Sequence, residues 1–463
     1  MQVVDFRLPP AVPMTQLDLL QKYDRAVPRY TSYPTAPHFH GEIGPDQYAA
    51  WLAAGDAKAP VSLYLHVPYC KSMCWYCGCH TKVAARYQPV EDLAARLIEE
   101  AALVARHVGA KRPATQIHWG GGTPNMLRPA DFARVMAALD RYFPRADTAE
   151  VAIEMDPRLL TQEMAAECLM SGVNRVSLGV QDFDPEVQRL INREQPFALV
   201  RQAVDLLRAH GIAGINLDLM YGLPGQTRET ILRTIDLAHS LAPDRLALFG
   251  YAHVPWMKTH QRLIDESRMP DAASRWELMT LANDRLRALG YVQVGFDHFA
   301  RPDDPMVLAL KSGKLTRNFQ GYAVEDAVTL IGLGPSAIGT LPQGYVQNLA
   351  EPGAWHRAVA EGRLATARGI ALTDEDRLRR AIIERLLCDF AVDLDAVTRA
   401  HGMSGRRFAQ EKVRLNELAA DGLVELDGER VRISEPGRPL ARVAAACFDT
   451  YLETGKARHS KAV

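Results

Sequence analysis

From residue 61 onward the chain alternates between short apolar, β-branched runs and longer stretches with an apolar position every three or four residues. The runs are SLYLHV (62–67), TQIHW (115–119), VAIEM (151–155), NRVSLGV (174–180), GINLDLM (214–220), DRLALFGY (244–251) and YVQVG (291–295). Amphipathic segments separate them, among them residues 90–108 and 196–211, the second closing on Gly211 as a helix should. Strands that alternate with helices predict βαβ crossovers, and crossovers predict a parallel sheet. Six or seven such units between residues 61 and 295 point to a complete or partial (β/α) TIM-like barrel of the α/β class, more than to a flat doubly wound sheet.

Outside that region the pattern changes. Residues 1–60 are rich in Pro, Tyr and His and show little periodicity before AAWLAA, which predicts an extended arm ending in a short helix. After about residue 370 the segment TDEDRLRRAIIERLLCDF and those following it read as helices, and GLVELDGERVRIS alternates around Asp427-Gly428, a hairpin signal. The expected division is an arm over 1–60, a (β/α) domain with an extension over 61–365, and a mostly helical, winged-helix-like domain over 366–463.

A length of 463 residues agrees with two or three domains, and 48% hydrophobic with 24% charged residues is the composition of a soluble globular protein. Lys+Arg 54 against Asp+Glu 55 leaves a net charge of -1, so no global pull toward nucleic acid or an acidic membrane is expected. Any charged ligand must be met by local groups. The opening MQVVDFRLPPAVPMTQ lacks the regions of a signal peptide, and no uncharged apolar run is long enough to span a bilayer. The expectation is a cytoplasmic protein.

Four of the seven cysteines crowd into CKSMCWYCGCH, Cys70 to His80. In a reducing compartment such crowding argues for metal or catalytic use, whereas Cys168, Cys388 and Cys447 lie in apolar, helix-like contexts and read as packing residues. Structural zinc would normally take a second pair, and the chain has none. A thioredoxin-like centre would use Cys74 and Cys77 and leave Cys70 idle. Three cysteines in CxxxCxxC directly after a strand can ligate three irons of a [4Fe–4S] cube and leave the fourth open. The spacing favours the cube without closing the other two readings. Two further features stand at strand ends. The run Gly120-Gly121-Gly122-Thr123-Pro124 is either a plain tight turn or a place where backbone approaches a ligand closely. Glu154 is either a solvated strand-end acid or a carboxylate for a ribose diol.

The CxxxCxxC spacing, with the aromatic Tyr76 before its last cysteine and the glycine run behind it, resembles the radical S-adenosylmethionine (SAM) superfamily. PRYTSYPTAPHF, LYLHVPYCKSMCWYCGC, HWGGGTPN, SLGVQDF, NREQ, NLDLMYGLPGQT, YAHVPW, NFQGY and LIGLGPSAIG extend the resemblance over nearly the whole chain, to the oxygen-independent coproporphyrinogen III oxidase family. The resemblance implies a partial barrel of the radical SAM type and one [4Fe–4S] cluster on Cys70, Cys74 and Cys77, with Cys79 not needed as a ligand and His80 without a claim to metal. It implies two SAM molecules per chain. Tyr64, Gly121, Glu154 and Ile338 would contact the one on the cluster. Tyr76, Gly122, Thr123, Gln181, Arg193, Asp218 and Ala252 would contact the second, Thr123 standing where the superfamily's GGE-like motif has an acid. His66 and Glu154 are its candidates for a catalytic part; Phe319-Gln320 match family positions without a role. The substrate implied is coproporphyrinogen III, whose ring A and B propionates become vinyl groups, with Arg29 and basic residues of the C-terminal module as candidate partners for its carboxylates. A flavodoxin- or ferredoxin-like electron donor, a monomer, and no nucleic acid or membrane complete the expectation. The alternative, a haem-chaperone-like relative that binds and transfers haem, typically lacks the PRYTSYPT arm and the CxC extension, and both are present at Arg29 to Thr35 and Cys77 to Cys79.

Overall fold

The computed structural model describes residues 16–324, 327–404 and 407–452, so residues 1–15 of the expected arm and 453–463 of the expected C-terminal domain lie outside the described residues. The first six apolar runs form strands where the pattern places them: β1 (Val61–Val67), β2 (Ala114–Gly121), β3 (Arg145–Met155), β4 (Arg175–Gln181), β5 (Gly214–Tyr221) and β6 (Arg245–Gly250). They pair in parallel in chain order, each joined to the next through a connection that contains at least one helix. Helices against one face and side-chain packing on the other leave Leu63, Leu65, Ile117, Trp119, Ile153 and Leu217 without solvent exposure.

The seventh run departs from the pattern. Within YVQVG only β7 (Val292–Val294) is a strand, and it pairs antiparallel with β8 (His298–Ala300), which itself lies antiparallel to β6. Three residues between β7 and β8 suffice for a hairpin and are far too few for a parallel crossover. The seventh parallel strand comes later, as β9 (Thr329–Leu333), which pairs with β1 on the side away from β2 (Leu63 opposite Ile331). β10 (Ile338–Leu341), β11 (Gly344–Asn348) and β12 (Thr366–Ala371) continue from β9 as an antiparallel meander. The sheet runs β12-β11-β10-β9-β1-β2-β3-β4-β5-β6-β8-β7. It is open, a partial barrel. Its last strand, β12, lies beyond residue 365.

The arm holds one helix that its sequence did not suggest, Gln16–Tyr23, and the expected short one, Pro45–Ala53. Helix Asp374–Cys388 begins at a Thr373/Asp376 capping box. It is followed by β13 (Ala391–Asp393), helices Leu394–Ala400 and Ala409–Ala420, and the hairpin of β14 (Val424–Asp427) and β15 (Arg430–Ile433). The strand order β13-β15-β14 gives the winged-helix arrangement. Asp427 pairs with Arg430, so the hairpin tip is Gly428-Glu429, one residue later than the Asp427-Gly428 reading, with Gly428 at φ 60 in the first central position of the turn. The arm clasps this module: Tyr30 Oη donates to Asp449 Oδ2 (3.0 Å), Tyr33 Oη shares a hydrogen bond with Thr450 Oγ1 (3.0 Å), and Lys22 pairs with Asp421. Cys168, Cys388 and Cys447 are buried. Among the described residues no helix is long and apolar enough to cross a membrane.

One buried carboxylate holds the β9 edge to the helix Gln88–Val108. Glu100 accepts hydrogen bonds from Gly334 N (2.6 Å), Asn348 Nδ2 (2.7 Å) and Trp355 Nε1 (3.0 Å). Burial pushes its carboxyl up to about 7 against the pull of those three donors. Glu100→Ala strands three buried donors, each costing ~1 kcal/mol or more, so the expected loss is about 3 kcal/mol or more, read as a lower urea midpoint. Because the folded pKa lies above the unfolded value, Glu100 stabilises most in acid, and its contribution falls as the pH rises through about 7. The variant's deficit should therefore be larger near pH 5 than near pH 8; an equal deficit at both would count against the raised pKa.

Candidate active site

Parallel strands deliver their C-terminal ends to one edge, and there the loop after β1 carries the crowded thiols into a cavity of about 680 Å³. Cys70, Cys74, Cys77 and Cys79 all line it, and all seven cysteines are free. Each of the first three sulfurs has a donor or hydroxyl against it. Thr123 Oγ1 donates to Cys70 Sγ (3.2 Å), and Thr81 Oγ1 lies 3.1 Å from the same sulfur. Arg193 Nη1 donates to Cys74 Sγ and Cys79 N to Cys77 Sγ, both at 3.4 Å. Sulfurs so surrounded are suited to carry the negative charge of ligand thiolates. Burial pushes the Cys70 thiol up while the two threonines draw it back. Cys77 is drawn down first by the hydrogen bond from the Cys79 thiol, and Cys79 is pushed up correspondingly. Cys79 also meets its neighbour's sulfur through its backbone N–H, a contact that spacing alone did not give it.

The loop is pinned from outside. Gln261 Nε2 donates to Tyr76 O (2.9 Å), His260 Nε2 to Cys77 O (2.8 Å), Lys258 Nζ to Cys79 O (2.8 Å) and Asn192 Nδ2 to Met73 O (2.8 Å). His80 donates to Ala350 O (2.8 Å). Among the described residues no three His, Cys, Asp or Glu side chains gather on the position of a single metal ion. A four-iron cube asks something else, one sulfur for each of three irons, and the donor-lined thiols fit that demand.

The glycine run is a close approach and not a spare turn. A Cβ on Gly121, at φ +110, would lie 2.6 Å from the His66 ring, and one on Gly122 would lie 2.6 Å from Thr81 Oγ1 and 2.7 Å from Tyr69 O. Gly121 N donates to Glu154 Oε2 (3.2 Å), whose other oxygen accepts from His118 Nε2 (3.2 Å). His66 Nε2 donates to His80 O (3.0 Å), which leaves Nδ1 to accept from Tyr64 Oη (3.0 Å). Burial lowers the His66 pKa and so favours the neutral ring that this pattern requires.

Tyr76, Gly121, Gly122, Thr123 and Glu154 line the same cavity as the thiols, and so do Gln181, Arg193, Asp218 and Ala252 from later strand ends. Gln181 ends β4 with φ 69, a left-handed conformation that aims the strand end out of the sheet. Asp218 accepts from Ser177 Oγ (3.1 Å), and burial, with the charge of Glu154, pushes its carboxyl up to about 6. Arg193 bonds Gly179 O (2.7 Å) and faces Asp156 at 3.6 Å, yet its Nε is buried without a protein partner. An orphaned guanidinium N–H beside the thiols suits an anionic ligand group. Tyr64 and His66 stand behind the wall, against Gly120 and Gly121. Ile338 opens β10, packed beside the Phe39 and Tyr345 ring pair, and does not line the cavity. Phe319 meets both of those rings edge-on, while both amide atoms of Gln320 are buried without a protein partner.

Several residues escaped the sequence reading. His118 sits two positions before Gly120 in TQIHW, on the same face of the strand, and that alternation was its signal. Thr81 follows the CxC directly. A second cavity, about 860 Å³, abuts the first and shares Arg29, Phe249, Gly250, Tyr251 and Ala252 with it. Its walls add Trp256, Trp276 and Phe296, Arg275 and Arg287 from helix Ala272–Ala288, and Arg438 and Arg442 from the C-terminal module. Arg29 and two basic residues of that module therefore meet at one chamber.

Residues 64–238 match the radical SAM superfamily, and residues 372–440 match the HemN C-terminal domain. The chain is 49% identical to the oxygen-independent coproporphyrinogen III oxidase of Bradyrhizobium diazoefficiens over 96% of this chain and 99% of that protein. It is 42% identical to that of Cereibacter sphaeroides, over 97% of this chain and 100% of its relative. The Escherichia coli coproporphyrinogen III oxidase HemN, described as a radical SAM enzyme, matches with a TM-score of 0.88 at 37% identity, covering 92% of this chain and 100% of that one. With identity of this order over nearly their full lengths, and with the thiol loop at the mouth of a partial barrel, the chain belongs to the oxygen-independent coproporphyrinogen III oxidase family of the radical SAM superfamily.

Proposed function

We propose that the chain oxidatively decarboxylates the ring A and ring B propionates of coproporphyrinogen III to vinyl groups, giving protoporphyrinogen IX. The observation that carries this reading is the juxtaposition of two chambers, one lined by donor-supported thiols and the other by aromatic rings and arginines, sharing the wall Phe249–Ala252. Relatives that bear the substrate's name support it. When bound, the cluster and SAM would supply the chemistry that removes a hydrogen from a propionate β-carbon, and the electron left as carbon dioxide departs and the vinyl group forms would pass to a one-electron acceptor from outside the chain. The chain's own residues hold and orient. Cys70, Cys74 and Cys77 would hold the cluster, and Glu154 and Gly121 would serve the SAM bound to it, with Tyr64 behind them and Ile338 at the β10 edge. Neutral His66, fixed by Tyr64 and His80, positions the glycine run and has no spare proton to give. Tyr76, Gly122, Thr123, Gln181, Asp218 and Ala252 would contact a second SAM, and the orphaned Nε of Arg193 would meet its carboxylate.

The same reading includes a flavodoxin- or ferredoxin-like electron donor, a monomer, and a cytoplasmic setting, which seven free thiols suit.

Anaerobically reconstituted protein should show a broad cluster absorption that dithionite bleaches, and with SAM and coproporphyrinogen III it should release carbon dioxide. Cys74→Ala should lose the absorption and the turnover together. Stoichiometric haem binding with no decarboxylation would replace the reading with that of a haem carrier. Equilibrium dialysis of the reconstituted protein should find two SAM per chain, and Asp218→Asn should weaken one of the two sites about tenfold through a lost charge-assisted hydrogen bond. One SAM per chain in the wild type would remove the second-site assignments.

A further inference from the structure

The larger chamber contains a guanidinium that the fold has made room for. Arg275 stands in the first turn of helix Ala272–Ala288 and reaches the ends of β5 and β6, where both neighbouring positions are glycine. A Cβ on Gly222 would lie 2.5 Å from Arg275 Nη1, and one on Gly250 would lie 2.8 Å from Nη2. The Tyr221 ring lies 5.4 Å from its Cζ. Among the described residues Arg275 makes no ion pair, and its buried Nε has no partner. The adjacent Trp276, 6% exposed and lining the same chamber, also has its indole N–H buried without one.

Two further arginines converge on this place. Arg29 Nη2 donates to Gly250 O (3.0 Å), at the wall the chambers share, and among the described residues it too makes no ion pair. Arg442 reaches in from the C-terminal module, with Nη1 donating to Val27 O (3.4 Å). Burial lowers the pKa of Arg442 to about 10, and the nearby cation Arg29 adds to it. Asp297 offsets part of this, but it is bonded to His298 (2.7 Å) and faces Arg317 at 3.8 Å. Asp284 and Glu435 of the same chamber lie 3.4 and 3.7 Å from Arg287. With Asp297, Asp284 and Glu435 engaged by other partners, and neither Arg275 nor Arg29 in an ion pair among the described residues, the wall holds a site that an anion completes. A volume of about 860 Å³ suits one compact organic ligand, and the aromatic wall suits its ring faces.

We propose that Arg275, Arg29 and Arg442 form the carboxylate-binding site for the substrate's propionates, with Arg275 holding a carboxylate at the seam between the two chambers so that its side chain's β-carbon is presented to the cofactor cavity. This rests on the reaction proposed above. Arg275 is a positioning residue: it sets where the side chain lies and moves no electron.

The test uses reconstituted full-length protein and coproporphyrinogen III, with Arg275→Gln, Arg442→Gln, Arg275→Lys and Gly250→Ala. Loss of a charge-assisted hydrogen bond from Arg275→Gln should raise KM at least about tenfold. Cluster absorption and SAM binding should remain as in the wild type. Arg275→Lys should recover part of the loss. Gly250→Ala keeps the arginine but displaces it, and should raise KM in the same direction. Direct titration with coproporphyrin III, a stable tetracarboxylate analogue, should show weaker binding in both glutamine variants, with the difference shrinking in high salt. A wild type that decarboxylates the substrate while both glutamine variants keep wild-type KM and analogue affinity overturns this proposal alone. A wild type that binds the analogue but never decarboxylates the substrate overturns the reaction it rests on. Variants that also lose cluster absorption would show a structural role and count against the assignment.

Discussion

Parallel pairing needs every strand to begin again at the same edge, and that constraint organises the rest of the molecule. Seven parallel strands, β9 and β1 to β6, send seven chain exits through one mouth. Helices consume one face of the sheet and packed side chains much of the other, so the exits are where polar groups can remain uncommitted. Cysteines leave after β1, the glycine run after β2, Glu154 and Asp156 at the end of β3, Gln181 at the end of β4, Gly222 after β5 and Gly250 at the end of β6. None of these is near the others in sequence. Register alone assembles them.

At that mouth the shaping element is often a missing atom. Gly121 and Gly122 admit the His66 ring and Thr81; Gly222 and Gly250 admit the Arg275 guanidinium. Around those openings the polar groups are not balanced within the protein: Arg193 Nε, Arg275 Nε and the Trp276 indole N–H are buried without partners. Buried polar groups left unsatisfied cost stability, of the order of 1–3 kcal/mol each, and those that line a cavity have room for a ligand atom to satisfy them. The sulfurs of Cys70, Cys74 and Cys77 show the converse, each already supplied with a donor.

The strands with helices between them were legible because a core-facing segment repeats every two or every 3.6 residues. β9 was not, since all five of its residues are buried and a continuously apolar, glycine-containing run carries no alternation to read. YVQVG misled in the opposite sense, its alternation belonging to a hairpin at the sheet edge. The thiol loop could be read from spacing and from resemblance, because residues of one short loop keep their distances in sequence. The wall made by Arg275 and Arg442 could not. It joins a helix, a strand end, the arm and the winged-helix module, and nothing local in any of those segments announces that they meet.

The clasp between arm and C-terminal module also fixes an order of events. Tyr30 and Asp449 are separated by 419 positions, and Tyr33 and Thr450 by 417. A chain emerging from the ribosome can pair β1 to β6 as they appear, since each lies beside its predecessor, but it cannot close the arm until residues 449 and 450 have been made. Arg29 and Arg442 belong to the two ends of that clasp. The chamber that both line is therefore assembled later than the sheet beneath it, and until Arg442 has been made the thiol loop faces a mouth that the arm and the C-terminal module have not yet joined to cover.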